Sequence, residues 1–425
     1  MTRRAAAVGS AALVGLVALP LGTPAAGAVE PPKCEVGKTQ YVDDSSYAIA
    51  SIGVPQAWSL STGQGVTVAV VDSGVDPGNA HLQGAMVPGA SFVPGPPTED
   101  ILGHGTGVAG IIAARYVNGS ALIGAAPSAR IMPVRVFQDE DTSGSQAVAY
   151  PPDTGRMAEG IAWAVRHGAD VINVSMSTRP SDDAIPELRA ALELARRRDV
   201  VVVASGGNQT EDSSFTQVRY PAGGPGVIGV AATNLSGDVD NWSIHGAQND
   251  VSAPGANVLI SYHANGDCLA GQDHAYTSWS AGFVSGLAAQ LRQRFPKESA
   301  DQIAYRITAS ADRPRMSERD DVQGWGEIRP YVALTMSLDP NRSGPPLPGA
   351  RSTPPAAPAQ APLKPLAAEV DTLAPTRERA LWWSLGAVGV GALAVVLRPW
   401  MGRVTSSNRS RRRPAGRRRS TPGTP

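Results

Sequence analysis

Short, unbroken apolar runs that alternate with helix-patterned stretches constrain this chain most. Gly65 to Val71 is apolar or β-branched throughout and stops at Asp72. Arg130 to Phe137, Asp170 to Ser175, Val200 to Ala204 and Val227 to Thr233 are runs of the same kind. Between and after them, helical spacing marks Gly105 to Arg115, Met157 to His167, Asp183 to Arg198, Ala281 to Phe295 and Ser299 to Ser310. A strand without polar alternation needs apolar cover on both faces, and the intervening helices supply it. The expected fold class is α/β, with a mostly parallel central sheet covered on both sides. Ligands in such folds sit beyond the carboxyl ends of the strands. Functional residues are therefore sought just after each run.

The two ends read differently from the middle. Residues 1–28 carry Arg3 and Arg4, an apolar stretch from Ala11 to Leu21, and Ala26-Gly27-Ala28, the pattern of a cleaved secretory signal. Ala380 to Leu397 is free of charge and just long enough to span a bilayer, with Trp382, Trp383 and Trp400 at its margins. The tail 398–425 holds nine arginines and no acid, so the positive-inside rule makes it cytoplasmic and the middle of the chain extracytoplasmic. A nucleic-acid-binding arm is the weaker reading beside a spanning segment, and no nucleic-acid partner is expected. The overall net charge of zero is thus a cancellation: residues 29–397 carry 26 basic against 37 acidic residues, a net −11. Ser343 to Pro375 has nine prolines in 33 residues and reads as an extended spacer, reaching about 100 Å at roughly 3.1 Å per residue. The expected organisation is a signal over 1–28, an N-terminal extension over 29–56 and a globular domain over 57–340. A linker over 341–379, a membrane helix over 380–397 and a basic tail over 398–425 complete it.

Four residues that end strands or open helices could carry chemistry. Asp72 stands in Asp-Ser-Gly after the first run. His104 lies in Gly-His-Gly-Thr-Gly-Val-Ala-Gly, where four glycines in eight residues exceed what packing ordinarily needs. Asn208 ends Ser-Gly-Gly-Asn after another run, and Ser278 follows Thr277 ahead of a small-residue helix. Each has a plain alternative when taken singly: an Asx-turn acid, a loop histidine, an ordinary turn, an N-cap serine. Together, in the order Asp, His, Ser, they resemble the subtilisin-like serine proteases, the subtilases. The resemblance runs from about Ala57 to Leu334 and extends to Ile172-Asn173-Val174-Ser175, Ser252-Ala253-Pro254-Gly255 and Gly324-Trp325-Gly326.

That resemblance implies a three-layer subtilisin-like fold and a serine endopeptidase. In it Ser278 is the nucleophile, His104 the base, Asp72 its orienting acid and Asn208 an oxyanion donor. Ser175, Met176 and Ser177 would pair with a protein or peptide substrate as an added strand. The arrangement of signal, extension, protease, spacer, helix and basic tail is similar to the mycosins, membrane-anchored subtilases of type VII secretion. This similarity implies a cell-membrane location and a type VII secretion membrane complex as partner. A second reading is a catalytically weakened subtilase that mainly serves as a structural component of that complex. Where the family usually has Gly, Met or Phe, and Ala, this chain has Tyr276, Trp279 and Ser280, and Gly282 stands where many members have Pro. Ser280 offers a second hydroxyl near Ser278. No H-x-x-x-H or EF-hand pattern occurs, so no cofactor or metal is expected for catalysis. A structural calcium, found in some subtilases, stays open. Cys34 and Cys268, the only cysteines, would form a disulfide in an exported chain; the alternative is two buried thiols.

Overall fold

The computed structural model describes residues 33–44, 47–138, 150–179, 183–209, 216–350 and 373–404. The expected signal segment lies outside these residues, as do most of the acidic stretch 138–153, of the spacer and of the basic tail. The chain forms two units, 1–353 and 354–425.

In the first unit the apolar runs become one sheet. Its strands are β1 (Thr67–Asp72), β2 (Ala90–Ser91), β3 (Arg130–Arg135), β4 (Val171–Val174), β5 (Val201–Ser205), β6 (Val227–Thr233) and β7 (Val251–Pro254). They lie in the order β2-β3-β1-β4-β5-β6-β7, and every neighbouring pair is parallel. β1 sits between β3 and β4, so the chain departs in opposite directions on its two sides. A crevice opens at such a switch point, and Asp72 is the last residue of that strand.

The helices are α1 (Tyr47–Ser51), α2 (Val54–Trp58), α3 (His104–Ala113), α4 (Thr154–Arg166), α5 (Ile185–Arg197), α6 (Thr277–Arg294), α7 (Ala300–Ser310) and α8 (Pro330–Thr335). Alternate residues of β1 enter two cores. Val68 and Val70 pack with Val108 and Ile112 of α3 and Val284 and Leu287 of α6. Ala69 and Val71 pack with Met157 and Ile161 of α4 and Leu188 and Leu192 of α5. The result is the expected three-layer subtilisin-like arrangement. Each large aliphatic side chain so buried contributes about 1.5–3 kcal/mol.

Several elements depart from the apolar pattern. β2 has two residues, and α1, α2 and α8 have five or six, too few for a period to register. A separate antiparallel hairpin pairs β8 (Val258–Ser261), a three-residue apolar run outside the expected strands, with β9 (Asp267–Ala270), which carries no such run. Helix α6 begins four residues ahead of the expected Ala281 and is buried from Thr277 to Arg292. Inside it, the Gln290 amide donates to the carbonyls of Ser61 (3.1 Å) and Ala125 (2.8 Å).

The N-terminal extension binds to the hairpin. The amide of Gln40 donates to the Asn265 carbonyl (3.1 Å), that of Asp267 to the Gln40 carbonyl (3.0 Å), and that of Val42 to Asp267 Oδ1 (2.7 Å). A disulfide joins Cys34 to Cys268. The other Asp267 oxygen faces His81 Nε2 at 3.0 Å, and both side chains are fully buried. His81 is therefore structural.

In the second unit, α9 (Ala374–Val404) contains 25 residues, Ala374–Arg398, apolar enough to cross a membrane, with none of its most apolar window buried. At 1.5 Å per residue they extend about 37 Å, against a hydrocarbon core of about 30 Å.

Candidate active site

The carboxyl end of β1 and the amino end of α3 meet at the switch point. Asp72 is fully buried, and its Oδ1 lies 2.8 Å from His104 Nδ1. The same oxygen accepts the Ser73 amide (2.8 Å). These contacts hold Nδ1 as the protonated nitrogen and leave Nε2 as the basic one. Asp72 Oδ2 is buried and has no hydrogen-bond partner among the described residues.

The glycines around His104 have physical causes. A Cβ on Gly105 would collide with the Gly74 carbonyl and stand 3.1 Å from Asp72 Cβ, so only glycine lets α3 approach the end of β1 this closely. A Cβ on Gly107 would stand 3.0 Å from the indole of Trp279 and 3.1 Å from Ile260 Cδ1. Gly107 thus makes room for Trp279, whose ring covers His104 with centroids 4.7 Å apart.

Asp100 anchors this end of α3 and gave no sequence signal. Its Oδ1 accepts from Ser73 Oγ (2.7 Å) and the Gly103 amide (2.9 Å). Its Oδ2 accepts from the amide (2.8 Å) and hydroxyl (2.6 Å) of Thr106. Ser73 Oγ also accepts the Gly105 amide (3.0 Å). The residues on either side of His104 are therefore tied, through Asp100 and Ser73, to the residue that follows Asp72.

Ser278 lies in the first turn of α6. It is not the N-cap, which is Tyr276, so the N-cap alternative fails. Ser280 is fully buried and donates to the carbonyls of Ala253 (2.9 Å) and Pro254 (3.1 Å), which leaves Ser278 as the hydroxyl at the cleft. Asn208 Oδ1 accepts from the amide and hydroxyl of Thr277, both at 3.0 Å. With its carbonyl oxygen so engaged, the amide presents N–H donors on its other side. His104, Ser175, Asn208, Tyr276, Ser278 and Trp279 line one cleft of about 470 Å³.

A buried polar chain supports Ser278 from below. Ser285 Oγ donates to Asn173 Oδ1 (2.8 Å), Asn173 Nδ2 to Ser175 Oγ (2.8 Å), and Ser175 Oγ to the Ser278 carbonyl (3.2 Å). The Ser175 side chain is thus a support for α6. The segment 175–177 continues past Val174, the last β4 residue in register with β1 and β5. Met176 turns its side chain into the core under α4 and α5.

At the cleft wall Tyr276 donates its hydroxyl to Asp273 Oδ2 (3.0 Å). Burial, then that bond and the nearby charges of Asp273 and Asp240, push the phenol up to about 12. Burial alone would raise the Asp273 carboxyl; hydrogen bonds from Tyr276 and backbone amides outweigh it and hold the group below the usual range. Among the described residues no cluster of His, Cys, Asp or Glu is arranged to hold a metal ion.

A parallel sheet with a buried acid on the switch strand, a histidine bonded to it and a serine at a helix start in the same cleft defines a serine peptidase of the subtilisin class. The subtilase family pattern matches residues 63–326, and the chain belongs to that family of serine endopeptidases. Mycosin-1 of Mycobacterium tuberculosis is 33% identical over 357 residues, covering 73% of this chain and 78% of Mycosin-1. A solved serine protease, MycP1, described as an essential component of the type VII (ESX-1) secretion system, superposes with a TM-score of 0.61 at 31% identity, covering 72% of this chain and 94% of that one. A chain of the periplasmic assembly from the ESX-5 inner membrane complex gives a TM-score of 0.62 at 27% identity, covering 76% and 91%.

Proposed function

We propose that this chain is a membrane-anchored endopeptidase that cuts exported proteins through Asp72, His104 and Ser278. Ser278 Oγ attacks a peptide carbonyl, and His104 Nε2 takes its proton and later delivers it to the leaving amine. Asp72 keeps the imidazole in orientation and stabilises its cation. The Asn208 amide and the Ser278 backbone N–H hold the oxyanion. Substrate backbone adds as a strand along 175–177, where the ladder has ended. The observation that carries this reading is the 2.8 Å bond between Asp72 and a His104 that shares one cleft with Ser278 and Asn208. The full-length protein in detergent, treated with a fluorescent fluorophosphonate, should label in the wild type and not in Ser278→Ala. Persistent labelling of Ser278→Ala would overturn the assignment.

The anchor is α9, with the protease domain outside and the C-terminus in the cytoplasm. Support comes from its charge-free run Ala380 to Leu397 and the arginines that follow. External protease applied to intact cells should remove the first unit and spare a C-terminal epitope tag.

Association with a type VII secretion membrane complex is supported by the similarity to the ESX-1 and ESX-5 proteins. A mainly structural role in that complex is the second reading, favoured by the indole that covers His104. Under it, cells carrying Ser278→Ala secrete normally while cells lacking the protein do not.

A further inference from the structure

Arg219 is buried, 6% exposed, and its Nε has no hydrogen-bond partner. Other buried arginines each meet at least one acidic or carbonyl acceptor. Arg135 pairs with Glu99 (2.6 Å), Arg292 with Asp199 (3.2 Å) and Arg306 with Glu298 (2.6 Å). Arg313 donates to the carbonyls of Thr308, Ala311, Met316 and Trp325. Arg219 has neither kind of partner among the described residues. Burial, followed by the like charge of Arg179, draws its pKa below the ordinary arginine value. A buried guanidinium nitrogen without an acceptor is unfavourable, and a second cation nearby adds to that. Internal packing does not repay it, whereas a bound carboxylate would.

The position of Arg219 says where that carboxylate comes from. Gly207 immediately precedes Asn208 and has φ +103°. A Cβ built on it would stand 3.0 Å from Arg219 Cγ, 3.1 Å from Ser177 Oγ and 3.2 Å from Ile244 Cδ1. Tyr220 pairs with Thr178 through two backbone bonds, 2.7 and 3.0 Å. Segments 175–178, 206–208 and 219–220 therefore converge at Gly207, whose missing side chain lets the stem of Arg219 and the Ser177 hydroxyl pack beside the residue before Asn208. Ser175, at one end of that wall, is bonded to the Ser278 carbonyl. A peptide with its carbonyl carbon at Ser278 and its carbonyl oxygen at Asn208 has the side chain of that same residue directed toward these converging segments.

We propose that Arg219 makes the site selective for peptides with Asp or Glu at the residue whose carbonyl is attacked, its guanidinium taking the side-chain carboxylate. This rests on the Ser278 reading above. Arginine suits the task because its planar fork matches a carboxylate with two charge-assisted bonds. The charge of Arg219 also repels Lys or Arg at that position, and selectivity draws on such repulsion as much as on attraction.

The test uses full-length protein in detergent and succinyl-Ala-Ala-Pro-X-p-nitroanilides with X as Glu, Asp, Gln, Phe or Lys. In the wild type, kcat/KM for Glu should exceed that for Gln by about tenfold or more, with Lys poorest. Arg219→Gln should bring the Glu-to-Gln ratio close to one while fluorophosphonate labelling is retained, and Arg219→Lys should keep part of the preference. The same ranking is read as binding of Ala-Ala-Pro-X acids to Ser278→Ala, which needs no turnover. Gln accepted as well as Glu by the wild type, or a ratio unchanged in Arg219→Gln, overturns the proposal. Loss of labelling and hydrolysis in the wild type instead overturns the Ser278 reading, and the binding series still decides the role of Arg219.

Discussion

Replacing Asp100 by alanine removes a carboxylate that accepts four hydrogen bonds at 2.6–2.9 Å in a site 6% exposed. Two of the donors are hydroxyls, Ser73 and Thr106, which rotate to other acceptors. The other two are the backbone amides of Gly103 and Thr106, which cannot. Each stranded buried amide costs about 1–3 kcal/mol, and relief from burying the carboxylate offsets part of it. The expected net loss is about 3–4 kcal/mol, within the usual range for breaking a buried charged network. Gly103 and Thr106 flank His104, so the imidazole loses its register with Asp72. Misplacement by about 1 Å costs on the order of a hundredfold in rate. Asp100→Asn, which keeps one acceptor, should fall between. Denaturant unfolding of the full-length protein and the rate of fluorophosphonate labelling measure the two effects. Stability within about 1 kcal/mol of wild type together with an unchanged labelling rate would refute the reasoning.

Three further expectations concern single features. Asn208→Ala should lower kcat by about 10²–10³ with little change in KM, and leave Ser278 reactive toward fluorophosphonate; steady-state kinetics with the same peptides checks it. Opening the Cys34–Cys268 bond, which closes a separation of 234 residues, should cost up to about 5 kcal/mol in the chain-entropy treatment. A Cys34→Ser, Cys268→Ser variant whose unfolding midpoint equals that of wild type would contradict this. Burial raises the Asp250 carboxyl to about 6, against the pull of the Gly229 amide and Arg319. The folded state then binds the proton more tightly than the unfolded chain, so stability falls as pH rises from about 4 through 6, by about 3 kcal/mol in all. Asp250→Asn should flatten that slope and raise the unfolding midpoint at pH 8 more than at pH 5, as thermal melts at the two values would report.

The legible parts of the fold were those where one segment carries its own signal. β1, β4, β5 and β6 are apolar from end to end because both faces are covered, and that burial shows in composition. Strand β9 and the two-residue β2 have no such mark, since their burial comes from neighbours: the extension pinned through Cys34, and β3. At the site, Asp72, His104, Asn208 and Ser278 stand in motifs that survive being read as letters. Asp100 and Ser285 do not, and the motif that contains Asn173 assigns that residue no role of its own. A buried acid before a loop, an Asn in the middle of a strand and a Ser within a helix each have ordinary explanations when read alone. Only the spatial chain from Ser285 through Asn173 and Ser175 to the Ser278 carbonyl gives the last two a role, and only the bonds from Ser73, Gly103 and Thr106 give Asp100 one.

Sequence alone was enough for the layer architecture, because periodicity is local, and the motifs around Asp72, His104 and Ser278 carried the resemblance to the subtilases. Tertiary structure decided which of two neighbouring hydroxyls faces the cleft, what holds the histidine in place and where an unpaired arginine lies. These are questions of distance between residues tens to hundreds of positions apart, and hydrogen bonding and charge act over ångströms in space rather than along the chain.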